Sequence, residues 1–369
     1  MSAPVRVGLL ATVLHRGGGG MARYRRELVR ALGERPDVEL VLVAPAGARA
    51  SLADMTVPNL VETIDVRGRT QIDRSLWERF RLGGVLEQHG VDVVHGTKHL
   101  IPRTGLPTVL TVHDVLAITW PQQYALAKRM LLPAQFRASL KQATVLVSVS
   151  GATAERLTAL DPAFGAKTIV AQNGLSIELL TVAPRPPRTP PPGRFALVVG
   201  DLSPRKNVSL LVRIWERVAA ATGGLHLVAV GPDGWRSAAT RRGIEDLARR
   251  GIAAWARHVT DEELRWYYEH AAVVLAPAIE EGFGLPVGEA LALGAPVVAS
   301  TDRALVEVAQ GRAVHVAPDD PEGWVTAVVA AAVAPKPEDA PPVFATWTAH
   351  AARVVEAYGL ARQRHGTRR

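Results

Sequence analysis

Short apolar, β-branched runs alternate with amphipathic stretches along almost the whole chain, and this alternation restricts the fold more than any other feature. The runs at 5–10, 38–43, 91–95, 108–112 and 145–149 are rich in Val and Leu, while stretches such as 21–32 and 74–89 carry apolar residues at helical spacing. Strands that arrive singly with helices between them pair in parallel, because a parallel neighbour requires a long crossover, and the crossover helices then cover both sheet faces. The pattern stops at 184–193, PRPPRTPPPG, which is too proline-rich for a helix or an interior strand. It restarts at 195–199, 225–230, 273–276 and 296–299. Two doubly wound α/β domains are therefore expected, residues 1–183 and 194–345, joined by a linker at 184–193. A second proline break at 335–342 precedes a last helical segment near 347–360. With 369 residues, each half can bury its own core.

Composition narrows the partners. No apolar run is long enough to span a bilayer, and the longest, around 5–14 and 325–334, fall well short. Arg6 interrupts the first apolar run, so it reads as a strand and not as a cleavable leader, and a cytoplasmic protein is expected. The chain has no cysteine, which removes disulfides, thiol catalysis and cysteine metal sites. A formal net charge of +8 suits an anionic partner. No zinc-ligand pattern, RNA-binding aromatic motif or basic tract accompanies that charge, so nucleic acid is not an expected partner.

Open parallel sheets bind ligands beyond the carboxyl ends of their strands, so chemistry should collect on the loops that follow the runs. The most informative loop lies in 276–300, APAIEEGFGLPVGEALALGAPVVAS. Gly282 and Gly284 permit backbone conformations and close approaches that other residues resist, and Pro286 suits a first helical turn. Glu281 should then sit on the loop and Glu289 on the helix. The helix N-terminus would direct unpaired N–H groups and partial positive charge at a diphosphate, while the carboxylates accept hydrogen bonds from ribose or sugar hydroxyls. The plainer alternative is a capping glutamate and a solvated one.

Three further loops carry candidates. After 195–199 comes GDLSPRKN, in which Arg205 offers a bidentate fork and Lys206 a mobile point charge for a diphosphate; solvated surface charge is the alternative. After the first run, glycines 17–20 lead into a helix and let backbone N–H groups approach a phosphate or sugar, unless they serve only as a flexible loop. They form no G-x-G-x-x-G fingerprint and no acidic residue follows at the spacing of a dinucleotide enzyme. His113 ends TVLTVH, where it can orient a hydroxyl or act structurally, with Asp114 fixing the loop. Thr301, Asp302, Arg303 and Glu307, and the run 318–321, read as structural, and backbone near 257–259 as a place for a base.

These motifs share a resemblance. E-G-F-G-L-P-x-x-E-A-x-A-x-G-x-P-V-V-A-S is similar to the donor-binding signature of glycosyltransferase family 4, retaining enzymes of GT-B architecture. GGGGMARYRREL resembles the first glycine loop of that family, T-V-H-D its acceptor-side histidine, and V-G-x-L-x-P-R-K-N its basic loop, although Asp201 stands where other branches carry arginine. The resemblance implies two Rossmann-like domains with a cleft between them, the acceptor on residues 1–183 and the nucleotide sugar on 194–345, with a C-terminal helix, 346–369, returning to the first domain. It implies catalytic roles for His113, Glu281, Arg205 and Lys206. It implies donor contacts from Gly18, Gly19, Gly20, Gly282, Phe283, Gly284, Leu285 and Glu289. The expected reaction moves a hexosyl unit, mannose before others, from GDP-mannose or a UDP-hexose to a hydroxyl of a sugar, lipid-linked sugar or small-molecule acceptor, with retention.

No D-x-D pair occurs, so neither a divalent metal nor another cofactor is expected. A UDP-sugar 2-epimerase of GT-B architecture would lack the double-glutamate signature, and a non-catalytic partner subunit would have no need of it. The run Lys128-Arg129-Met130-Leu131-Leu132, with Arg137 and Lys141, leaves two readings: a helix packed on the sheet, or a peripheral contact with the inner face of a membrane.

Overall fold

The computed structural model describes residues 3–11, 19–45, 55, 57–68, 70–124, 126–336 and 341–367, without the side chains of 71, 72, 127 and 128. It consists of two compact units, residues 1–174 with 345–369, and residues 175–344. The first holds a seven-stranded sheet of β1 (Val5–Leu10), β2 (Val38–Ala44), β3 (Leu60–Asp65), β4 (Val93–Gly96), β5 (Thr108–Val112), β6 (Val145–Ser148) and β7 (Thr168–Val170), in the order β3-β2-β1-β4-β5-β6-β7. The second holds β8 (Phe195–Val199), β9 (His226–Val230), β10 (Ala253–Ala256), β11 (Val273–Ala276), β12 (Val297–Ser300) and β13 (Val314–Val316), in the order β10-β9-β8-β11-β12-β13. Each pairing is parallel. Both units are thus doubly wound, as the alternation requires, and the strand order reverses between β1 and β4 and between β8 and β11.

Four strands have no clear counterpart in the sequence pattern: β3, β7, β10 and β13. They are the four edges of the two sheets. Interior strands are covered on both faces and read as largely apolar runs, whereas an edge strand tolerates Glu62, Asp65 or His315 and can be as short as three residues. The single helix expected over 74–89 is two, Gln71–Phe80 and Leu82–Gln88, broken at Arg81. Beyond the break Gly83 lets the chain at Arg103 pass close, since a Cβ would lie 2.1 Å from the Arg103 carbonyl oxygen.

The chain passes between the units at Gly174/Leu175 and at Phe344/Ala345. The proline-rich stretch 184–193 belongs to the second unit, where the Arg185 N–H donates to the Glu262 carbonyl over 3.0 Å. Glu262 lies in the helix Asp261–His270, which Thr260 opens by a capping box with Glu263. The last helix, Trp347–Gly366, is capped by the Thr346 hydroxyl and returns to the first unit. There it packs on the helix Gly20–Gly33 and on β4 to β7. Its buried residues Trp347, His350, Val354, Ala357, Tyr358 and Ala361 form one stripe at helical spacing.

Candidate active site

In the second unit, β8 and β11 are neighbours at the point where strand order reverses, and the loops beyond both carry the charged candidates. Beyond β8, Gly200 adopts φ 142°, which side chains resist, and a Cβ there would stand 3.1 Å from Lys206 Cε. Glycine thereby lets the lysine chain lie across the turn. Asp201 Oδ1 accepts from the Ser203 N–H at 3.0 Å, bending the chain into the short turn Pro204–Lys206. Asn207 ends that turn in the left-handed region, φ 54°, and its side-chain amide donates to the Pro277 and Pro318 carbonyls at 3.1 and 2.8 Å. The Ile279 N–H donates to the Arg205 carbonyl at 2.8 Å. The two loops are therefore fastened to each other by backbone groups.

Their side chains meet as a consequence. Arg205 Nη1 lies 3.0 Å from Glu281 Oε2, and Lys206 Nζ lies 2.5 Å from Glu281 Oε1. Glu281 is buried, and burial by itself would raise its carboxyl; the charges and hydrogen bonds of Lys206 and Arg205 outweigh that and hold it at about 2. The carboxylate is ionised and set between two cations.

Next to this group, Gly284 takes φ 95° and precedes the helix Leu285–Ala292, with Pro286 in its first turn. A Cβ at Gly284 would come within 2.6 Å of Leu305 Cδ2, so both backbone and packing require glycine. Phe283 is buried and Gly282 partly so. Glu289 lies on that helix, buried, and accepts a hydrogen bond from the Tyr268 hydroxyl at 2.8 Å. Lys206, Glu281, Asp201, Gly284 and Pro286 line a hollow that opens to solvent. Asp302 and Asp320 cap the helices Arg303–Ala309 and Pro321–Val333, the structural role expected of their segments. Arg257 stacks over Trp255 at 4.1 Å.

In the first unit, Gly18 lies outside the described residues. Gly19, at φ 127°, precedes the helix that Gly20 begins. His113 follows β5, and its Nε2 donates to the Thr97 carbonyl at 3.2 Å, which assigns the ring proton to Nε2 and leaves Nδ1 as acceptor. The Tyr24 ring meets His113 edge-on at 4.4 Å. The residue is half-buried, and the enclosure of the imidazole, followed by the charge of Arg25, lowers it to about 3, so it is neutral. Arg25 is itself buried, with Nε donating to the Thr97 hydroxyl at 2.9 Å, which in turn donates to the Leu10 carbonyl. Behind His113, hydrogen bonds run from His350 to Tyr24 (3.2 Å), Tyr24 to Thr111 (3.1 Å), Thr111 to His95 (2.8 Å) and His95 to Tyr358 (2.8 Å). Asp114 accepts from the Leu116 N–H at 3.1 Å and so fixes its own loop.

Comparison with known proteins decides the family. The family model described as Glycosyltransferase Family 4 matches residues 18–179, and that described as Glycosyl transferases group 1 matches residues 193–332. The chain belongs to glycosyltransferase family 4. Among curated relatives, the O-antigen chain mannosyltransferase B of Escherichia coli is 25% identical over 82% of this chain and 84% of that protein. The O-antigen chain mannosyltransferase RfbU of Salmonella typhimurium is 25% identical over 85% and 88%. The solved structure of WaaG, a glycosyltransferase involved in lipopolysaccharide biosynthesis, is 15% identical, covers 98% of this chain and 95% of that one, and superposes with a TM-score of 0.65. The fold of this glycosyltransferase is GT-B, two Rossmann-like parallel-sheet domains.

Of the residues singled out in the sequence, this glycosyltransferase brings Arg205, Lys206 and Glu281 into direct contact and sets Gly284 and Leu285 at the start of the helix that carries Glu289. Two residues that hold the arrangement had no role in the sequence reading. Asn207 stands in the R-K-N motif, and its left-handed conformation is one that Asn tolerates, which was the available signal. Tyr268 has no local signal, since only tertiary packing takes its hydroxyl to Glu289.

Proposed function

We propose that this glycosyltransferase moves a hexosyl unit, mannose first among hexoses, from a nucleotide-diphosphate sugar to an acceptor hydroxyl with retention, in polysaccharide, glycolipid or natural-product biosynthesis. The observation that carries this reading is Glu281 held between Arg205 and Lys206 at the reversal point of the second sheet. Two cations fixed by backbone bonds beside a helix N-terminus match a diphosphate, and Glu281 occupies them in its place. An arriving diphosphate takes over Arg205 and Lys206, and the released carboxylate accepts hydrogen bonds from the sugar hydroxyls. Glu289, a carboxylate that accepts from Tyr268 on the helix beside this group, is the acceptor for ribose hydroxyls.

As the anomeric C–O bond to phosphate breaks, charge grows on the diphosphate, and Arg205, Lys206 and the helix at Leu285 stabilise it without a divalent metal. The acceptor oxygen bonds to the anomeric carbon, and its proton passes to the departing phosphate oxygen. In the first unit His113, kept neutral, orients a hydroxyl through its free Nδ1. The mannose preference is drawn from the two O-antigen mannosyltransferases among the relatives.

Calorimetric titration with GDP-mannose, UDP-hexoses and dTDP-sugars tests the donor. GDP-mannose is expected to bind most tightly, and Glu289→Ala to weaken every nucleotide. Equal weak binding of all donors, unchanged by that substitution, removes the donor site. Retention is read from the anomeric coupling of the product by NMR, where an inverted product overturns it.

A further inference from the structure

We propose that Tyr24 is a positioning residue for His113, and that His350 makes the C-terminal helix Trp347–Gly366 part of the same device. The proposal rests on the acceptor-side role given to His113 above. A single hydrogen bond, from His113 Nε2 to the Thr97 carbonyl at 3.2 Å, fixes one nitrogen but lets the imidazole plane turn about that bond. Tyr24 sets the plane, because its ring stands at 88° to the imidazole with the centroids 4.4 Å apart. Arg25, the next residue, steadies the other anchor, since its Nε donates to the Thr97 hydroxyl at 2.9 Å. Two consecutive residues of the helix Gly20–Gly33 thus hold the ring at two points, and Nδ1 remains for a hydroxyl.

Tyr24 can act as a wall only if it is itself held. It is buried, its ring packs against Trp347 and His350 with centroids 5.7 and 5.4 Å away, and its hydroxyl bonds both Thr111 and His350. The order of the protons follows from one end of this run. The Gln172 carbonyl can only accept, so His350, kept neutral by burial, carries its proton on Nδ1, 3.0 Å from that oxygen, and presents Nε2 as an acceptor. The Tyr24 O–H then donates to His350 Nε2, the Thr111 O–H to Tyr24, the His95 Nε2–H to Thr111 and the Tyr358 O–H to His95 Nδ1. Each link has one donor and one acceptor, and the reverse order would leave two lone pairs facing each other at Gln172. Tyr358 and His350 both lie on the C-terminal helix, which therefore grips β4 at His95, β5 at Thr111 and the first helix at Tyr24. His113 follows Thr111 by two residues, so the grip ends where the acceptor-side ring begins. Phenylalanine at position 24 would supply the same ring without the two bonds that hold it.

Nitrogen-15 NMR of the histidine rings in the full chain tests this without any substrate. The His113 signals, identified by their loss in His113→Ala, should report one tautomer, protonated on Nε2. A ring free to turn spends less time on the Thr97 carbonyl, so Tyr24→Phe should bring in the Nδ1-protonated form and Tyr24→Leu should bring in more of it. Thermal melting and nucleotide binding check that these variants fold. In steady-state transfer from GDP-mannose to methyl mannoside, Tyr24→Leu should lower kcat by about 10²-fold, the cost of an ångström-scale misplacement, with KM for GDP-mannose unchanged. In a His113→Ala background the same substitution should cost almost nothing further, because a ring that is absent cannot be misplaced. His350→Leu should repeat both patterns more weakly. An unchanged tautomer ratio in Tyr24→Leu, or an equal kinetic loss with and without His113, overturns the proposal and leaves the network as support for the fold alone. Wild-type kinetics in His350→Leu removes the C-terminal helix from it. Full transfer by His113→Ala overturns the acceptor role itself, a failure that the ring signals distinguish from the others.

Discussion

The polar centres of the two units meet the same physical cost in opposite ways. In the first, His95, His350 and Tyr24 are buried with Thr111 and Tyr358, and desolvation lowers the two imidazoles to about 3 and about 4 and raises the Tyr24 phenol. That network is neutral, and its members come from four separate elements, the C-terminal helix among them. In the second, Glu281 is also buried but stays ionised at about 2 because two cations sit on it. Burial without a charged partner removes charge, and burial with one keeps it. The first arrangement holds a shape. The second holds electrostatic capacity that a ligand's charge can take over.

The largest expected effect breaks the charged side of this contrast. Lys206→Ala should lower glycosyl transfer by about 10²–10³-fold in steady-state kinetics, the loss typical when one preorganised stabiliser of developing charge is removed; a fall under threefold would show that Lys206 does not serve the leaving group. Next comes Glu281→Gln. Losing the carboxylate that competes for Arg205 and Lys206 should raise affinity for a free nucleoside diphosphate by about tenfold in calorimetry, about 1.4 kcal/mol, while transfer falls. Weaker diphosphate binding in that variant would mean that Glu281 does not stand in for the ligand.

The smallest effect sharpens the neutral side and is read from chemical denaturation at pH 7 and pH 5. In the unfolded chain His95 and His350 take protons near 6.5, but in the fold only near 3 and 4. The unfolded state therefore binds more protons below pH 6.5, and stability falls with pH there, approaching about 1.4 kcal/mol per pH unit for each ring. Glu281 contributes little in this window, because its lowered carboxyl gives stability that is present above about 4.5 and lost only as pH drops toward 2. His350→Gln should remove one ring's share of the acid sensitivity. An unchanged slope would mean that His350 is protonated in the fold.

Much of this was legible in the order of residues. Interior strands such as β2 and β8 announced themselves as apolar runs because both of their faces are covered, and the edge strands did not, because theirs need not be. The break at Arg81 was hidden, since helical periodicity continues on either side of it. At the candidate site, glycine, arginine, lysine and glutamate on loops after strands are unusual enough to be noticed singly. Tyr24 and His350 are 326 positions apart, and no spacing rule connects them.

The sequence by itself determined the parallel, doubly wound character of both units, the capped helix starts, the family and the identity of the charged loop residues, because propensity, periodicity and capping act over a few neighbouring residues. Only the tertiary structure decided that Glu281 lies on Arg205 and Lys206 while Glu289 receives a phenol, and that the buried histidines are neutral. Those outcomes turn on desolvation and Coulomb attraction, which depend on distance in space and are blind to distance along the chain.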